Sequence, residues 1–156
     1  MKLIFRLTFF LLLSAMVIIQ FIRPVKNQHP GKSADDITRL YPVPSPVLHL
    51  LQEACYDCHS NYTRYPWYTN IQPVGWIMAA HTRDGKQELN FSEYGSYSAK
   101  RQLNKLKRIR EQIATNQMPL RSYTWMHAGA RLSNLQKKMI IHWIDDVLQA
   151  NKGTGY

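Results

Sequence analysis

The chain holds two cysteines, two residues apart, with a histidine directly after the second: Cys55-Tyr56-Asp57-Cys58-His59. C-x-x-C-H is the spacing by which a polypeptide attaches a c-type haem. Two thiols add to the two vinyl groups of one porphyrin, and the adjacent imidazole is left beneath the iron as its proximal ligand. Other uses of two cysteines fit less well. A redox C-x-x-C needs no histidine and is expected in a βαβ setting that this sequence lacks. A structural zinc site wants four closed N/S ligands, and the chain has no second Cys pair or H-x3-5-H to complete one. A disulfide closing so small a loop would stabilise little. One covalently attached haem c is therefore expected, held through Cys55 and Cys58 with His59 on the iron.

The opposite iron position separates electron transfer from chemistry on a bound molecule. Met118 is the expected sixth ligand. It stands in Asn116-Gln117-Met118-Pro119-Leu120, just past a helical pattern, where proline stops the helix and stiffens the chain. A thioether there raises the potential toward values useful for shuttling electrons. His81 is the main alternative, and an open position, or His127 or Met126, are the others.

These residues need a scaffold, and the pattern around them is helical. Ser45-Pro46 reads as an N-cap followed by proline in the first turn. Val47, Leu48, Leu50, Leu51 and Ala54 then give an apolar face leading into the cysteines. Asn61 to Asn70 has no helical period but is dense in rings, and is expected to wrap over the porphyrin, with a carbonyl near Pro66 accepting the His59 Nδ1–H. Residues 73–81 suggest a second short helix, and 82–97 a polar, turn-like stretch with Gly85 and Gly95. In 98–116 Leu103, Leu106, Ile109 and Ile113 recur at helical spacing. The last helix has a Ser133/Gln136 capping box, a stripe of Leu135, Met139, Ile140, Trp143, Ile144 and Val147, and Gly153 as its stop. The expected fold is all-α: a small, cytochrome-c-like domain of three to four helices over residues 45–152, its first and last helices packed together.

Residues 1–23 form a separate segment. Lys2 and Arg6 precede a largely apolar run of sixteen residues, Leu7 to Ile22, and Arg23-Pro24 closes the run. Sixteen residues rise about 24 Å, short of a ~30 Å hydrocarbon core, but Leu3 to Phe5 extend the run if Arg6 snorkels to the headgroups. The residues after it do not make a small-x-small cleavage site. An uncleaved, single-pass membrane helix over residues 3–22 is expected. Residues 24–44, with Pro24, Pro30, Pro42 and Pro44, read as a spacer. Covalent haem attachment in bacteria takes place outside the cytoplasmic membrane, so the expected location is the inner membrane with the domain in the periplasm.

The formal net charge is +10, of which four basic residues lie in the first 30. Six more cluster in 100–110. As a plain helix face this run is simply solvated. As a functional one it would dock an acidic redox partner or anionic headgroups. Nucleic acid is excluded as a partner on the outer side of a membrane.

Four strings carry a resemblance: Cys58-His59-Ser60-Asn61-Tyr62-Thr63-Arg64-Tyr65-Pro66-Trp67-Tyr68; Ile71-Gln72-Pro73-Val74-Gly75-Trp76; Leu89-Asn90-Phe91-Ser92-Glu93-Tyr94; and Met118-Pro119-Leu120-Arg121-Ser122-Tyr123. They resemble the bacterial haem-binding domain family, whose members are small, often membrane-anchored and carry one C-x-x-C-H. The resemblance covers about residues 40–150 and implies a monohaem helical domain. The family's Met-Pro matches Met118-Pro119, and its histidine after the motif matches His81. An electron carrier is the expected function, with Arg64, Tyr65, Trp67 and Arg121 as candidates to hydrogen-bond the haem propionates. The alternative is a haem-based sensor or peroxidase-like enzyme with an open distal position served by His81 or Arg83. An accessory subunit docking through 100–110 is a non-catalytic variant of the first.

Overall fold

A computed structural model describes residues 1–29, 31 and 33–152. Pro30 of the expected spacer and Gly153, the expected helix stop, lie outside the described residues. The described chain is helical, with no strand and one isolated bridge, Gln28 to Tyr62. An N-terminal helix, α1 (Lys2–Ile19), precedes a short α2 (Ile37–Leu40). The domain follows as α3 (Ser45–Ala54), α4 (Tyr56–His59), α5 (Val74–Glu88), α6 (Ala99–Ala114), α7 (Arg121–Met126) and α8 (Asn134–Ala150). Four of these, α3, α5, α6 and α8, are long enough to build a core, and 3-10 turns at Trp67–Asn70, Phe91–Ser96 and Ala128–Ala130 link them.

Local signals set the ends. The Ser133 side chain accepts from the Gln136 amide while Gln136 Oε1 accepts from the Ser133 N–H, closing the expected capping box. Pro46 sits in the first turn of α3, but Ser45 is already helical and makes no side-chain cap. Pro44 fills the capping position instead. At the end of α6, Asn116 adopts φ 59°. Its amide reaches Ile113 O (3.2 Å) and the Gln117 amide reaches Gln112 O (2.9 Å), a Schellman ending in which Asn takes the left-handed position glycine usually fills.

The core joins α3, α6 and α8. Val47, Leu50 and Leu51 of α3, Leu106, Ile109 and Ile113 of α6, and Ile140, Trp143, Ile144 and Val147 of α8 form one buried cluster. The first and last helices of the domain do pack together, and α6 lies along α8. Leu135, expected in the α8 stripe, instead faces out at 70% exposure, because the core-facing side begins one turn later. Each fully buried aliphatic side chain contributes about 1.5–3 kcal/mol, so this cluster is the main source of the domain's stability.

Three expectations change. The segment after His81 is not turn-like: α5 continues to Glu88, because Gly85 lets that part of the helix lie against the cysteine motif. The ring-rich segment 61–70 does not wrap over the site; it packs beside α5 through the Trp67–Asn70 turn. Residues 24–44 do not hang free. Ile37 is fully buried, Gly95 N–H donates to Asp35 O (2.8 Å), and Trp143 Nε1–H donates to Pro42 O (3.1 Å). Asn27 joins the chain just beyond the motif, its side chain donating to Ser60 O and Thr63 Oγ1, each at 2.9 Å. Helix α1 has no buried residue and is long and apolar enough to cross a membrane.

Candidate functional site

A cavity of about 370 Å³ opens between α4, α5, the end of α6 and residues 118–123. That is within the range of small-molecule sites, and its lining is mostly apolar. Cys55, Cys58, His59, His81 and Met118 all line it.

One wall is the motif itself. Helix α3 breaks at Cys55 (φ −130°, ψ −40°) and α4 restarts at once. Cys58 and His59 return their amides to the Cys55 carbonyl at 3.2 and 2.9 Å. Residues i, i+3 and i+4 of one helical turn share a face, which puts both thiols and the imidazole on the cavity side. Helix α5 crosses close behind. A Cβ on Gly85 would lie 2.7 Å from Cys58 O, so glycine is what allows the approach.

That approach fixes the histidine. His59 Nδ1 lies 2.8 Å from Gly85 O and 3.1 Å from Leu89 O. Two carbonyls can only accept, so Nδ1 carries the proton and Nε2 keeps its lone pair. Both acceptors are carbonyls at the negative end of α5, where Gly85 O also accepts from the Leu89 N–H at 2.9 Å. Burial lowers the His59 pKa, outweighing the carbonyl bonds that raise it. A neutral imidazole with Nδ1 hydrogen-bonded and Nε2 bare is the arrangement a metal ligand requires. The expected acceptor near Pro66 is replaced by these α5 carbonyls, out of view to a sequence reading that ends the helix at residue 81.

The thiols are not tuned for redox exchange. Burial, then the neighbouring Cys58, pushes Cys55 up to about 12; burial, then Asp57, pushes Cys58 up to about 11. Reactive dithiols have lowered values.

Between the cysteines Asp57 is buried and fully partnered. Its Oδ1 accepts from the Arg64 amide (3.0 Å) and Nε (3.1 Å), and its Oδ2 accepts from Tyr123 O–H (2.6 Å). Tyr123 lines the cavity and stacks on His127 at 4.1 Å between ring centroids. Arg64 also pairs with Glu53 (2.7 Å). The Arg64 guanidinium is thus committed to the motif's own carboxylate, not to the cavity. Tyr65 accepts from the Asn27 amide (2.9 Å), Trp67 is 75% exposed, and Arg121 is exposed. None of these four expected propionate partners lines the cavity.

The facing wall comes from the other side of the fold. The Schellman turn at Asn116 sends the chain back from α6, a third bond from Met118 N–H to Gln112 O (3.1 Å) fixes its course, and Met118 and Pro119 enter the lining. His81 lies on the same cavity, from α5. Met126 and His127 do not line it. Met126 is exposed, and His127 bonds Tyr68 O–H through Nε2 at 3.1 Å. Arg83 points to Asp84 (2.9 Å) at the surface.

Two cations in this wall were not expected from the sequence. Lys105 is 9% exposed and donates through Nζ to Glu88 O, beside the carbonyls that hold His59. Burial, then Arg108, lowers its pKa. Arg108 pairs with Glu88 (3.1 Å) and also lines the cavity. Lys105, Arg108, Ile109 and Gln112 stand at i, i+3, i+4 and i+7, and that helical spacing is the signal that could have marked them. The basic stretch 100–110 is therefore divided: two cations face the cavity, Arg110 pairs with Asp145 (2.8 Å), and Arg101 lies over the Tyr97 ring.

The residues fit the group their spacing suggests: an apolar cavity lined by two thiols, an imidazole with a free Nε2, a thioether and two cations suited to carboxylates. The sequence matches the haem-binding domain family over residues 14–146. No curated protein and no solved structure matches the chain. A match across most of the sequence, with its motif residues gathered on a cavity suited to a porphyrin, makes this chain a member of the haem-binding domain family.

Proposed function

We propose that the protein is a membrane-anchored, periplasm-facing monohaem cytochrome that carries single electrons. The observation that carries this reading is the pairing of His59, its Nδ1–H held by Gly85 O and Leu89 O, with Met118 on one cavity. Bound haem supplies a one-electron iron couple. Cys55 and Cys58 would hold the porphyrin through thioethers, and His59 Nε2 and Met118 Sδ would ligate the iron. Lys105 and Arg108 would neutralise the two carboxylates and stand in for Arg64, Tyr65 and Trp67. Such a carrier needs a potential set by ligation, burial and nearby charge, and Met ligation and the buried Lys105 both raise it. Helix α1 would anchor the domain, and the solvated cations of α6, Lys100 and Lys107, would meet an acidic redox partner.

Mass spectrometry and optical spectra of protein matured in a host with haem-attachment machinery test the reading. The expected result is one haem mass added to the chain, with a low-spin oxidised spectrum showing a methionine–iron charge-transfer band. Bare thiols with no added mass would overturn it.

His81 on the same cavity supports a second reading, a sensor or peroxidase-like enzyme with a displaceable sixth ligand and His81 as hydrogen-bond donor. Rapid carbon monoxide binding by the reduced protein would favour it over the carrier.

A further inference from the structure

Helix α1 and the domain are joined directly. Gln20 and Gln72 exchange two hydrogen bonds, Gln72 N–H to Gln20 Oε1 at 2.9 Å and Gln20 Nε2 to Gln72 O at 3.2 Å. Two residues on, Trp76 Nε1–H donates to Ile22 O at 2.7 Å. The 18 residues of α1 rise about 27 Å, close to the thickness of a hydrocarbon core, so a spanning α1 puts Gln20 at the lipid boundary. Whatever is bonded to Gln20 and Ile22 sits at the same depth.

The surface around those bonds is apolar. Trp67, Ile71, Val74 and Ile77 are exposed beside the buried Gln72, and Phe21 and Ile22 are exposed on the α1 side. From Tyr65 to Thr82 the sequence has no Asp, Glu, Lys or Arg, while Arg23 and Lys26 follow α1 directly. Tryptophan over aliphatic side chains, free of charge and edged by cations, matches the chemistry of a membrane–water interface. Soluble surfaces rarely gather such side chains without a partner.

We infer that the face formed by Trp67, Ile71, Val74 and Ile77 lies in the phospholipid interface around α1, so that the domain rests on the bilayer. This rests on the proposal that α1 spans the membrane. The test uses the full, haem-loaded chain in nanodiscs doped with a phospholipid carrying a diazirine near the glycerol end of one acyl chain. After photolysis, adducts are mapped by mass spectrometry. Lipid adducts on Trp67, Ile71, Val74 and Ile77 are expected about ten-fold above those on Leu135, an exposed apolar residue of α8. V74E/I77E should lose the adducts on 67–77 and keep those on α1. Labelling of α1 alone, or adducts between protein copies in place of lipid, overturns the inference and leaves the anchor standing. Labelling of neither overturns both.

Discussion

His59 donates its Nδ1 proton to the carbonyl of Gly85, 26 residues away, at 2.8 Å. The bond exists because nothing separates the two backbones: Gly85 has no Cβ to meet Cys58. Gly85→Ala should therefore act on the histidine, not on the helix that carries the change. Overpacking of this kind costs about 1–3 kcal/mol. With α5 displaced, the imidazole loses its acceptor and becomes a weaker donor to iron. Thermal unfolding and the oxidised spectrum of the variant report both effects, and a wild-type spectrum with unchanged stability would refute the contact.

Met118→Ala should abolish the charge-transfer band and open the sixth position to carbon monoxide, leaving haem attachment intact. The parallel His81→Ala should leave the band in place. If the two variants exchange these outcomes, His81 is the ligand.

Asp57 and Tyr123 bind each other from α4 and α7 at 2.6 Å. Tyr123→Phe leaves a buried carboxylate one donor short, and Asp57→Asn weakens every bond to it. Each change should cost about 1–3 kcal/mol, and the double variant should cost clearly less than the sum. Denaturant titration of the three proteins measures the coupling, and strict additivity would count against a shared network.

Lys105→Met removes a cation from the cavity wall while keeping its length. The midpoint potential should fall, by on the order of tens of millivolts for a charge at partly screened range. Lys107→Met, on the outer face of α6, should leave it near the wild-type value. Potentiometric titration distinguishes the two, and equal shifts would remove Lys105 from the site.

Burial raises the ionisation of Tyr56, Tyr94 and Tyr123 above the ordinary tyrosine value of about 10. The folded protein then holds protons that the unfolded chain releases. Stability should be flat below that pH and fall as pH rises through and past it. Phenolate absorbance followed together with far-ultraviolet circular dichroism should show these tyrosines ionising only as the helices melt.

The motif, the place of Met118 on the cavity, the capping box of α8 and the stripe of α6 were legible because each is local: a spacing, a proline, a cap, a period. What escaped the sequence needed distant backbone. The stretch Thr82–Glu88 has no apolar period because part of α5 faces the motif and the cavity and not the core. Ile37 lies in a polar, proline-rich segment with no apolar period, and nothing in its neighbours announces that it is fully buried. Lys105 looked solvated because lysine usually is. Arg64 followed the motif at a plausible distance for a haem carboxylate, but a buried aspartate inside the motif claimed it first.

The paired amides of Gln20 and Gln72 have a last consequence. With α1 in a membrane and the domain carrying electrons, as proposed, a head fastened to its own stem could not swing out on a tether to search a volume. Its encounters would be confined to one altitude above the lipid, and a partner would qualify by the height of its own centre as much as by its charge.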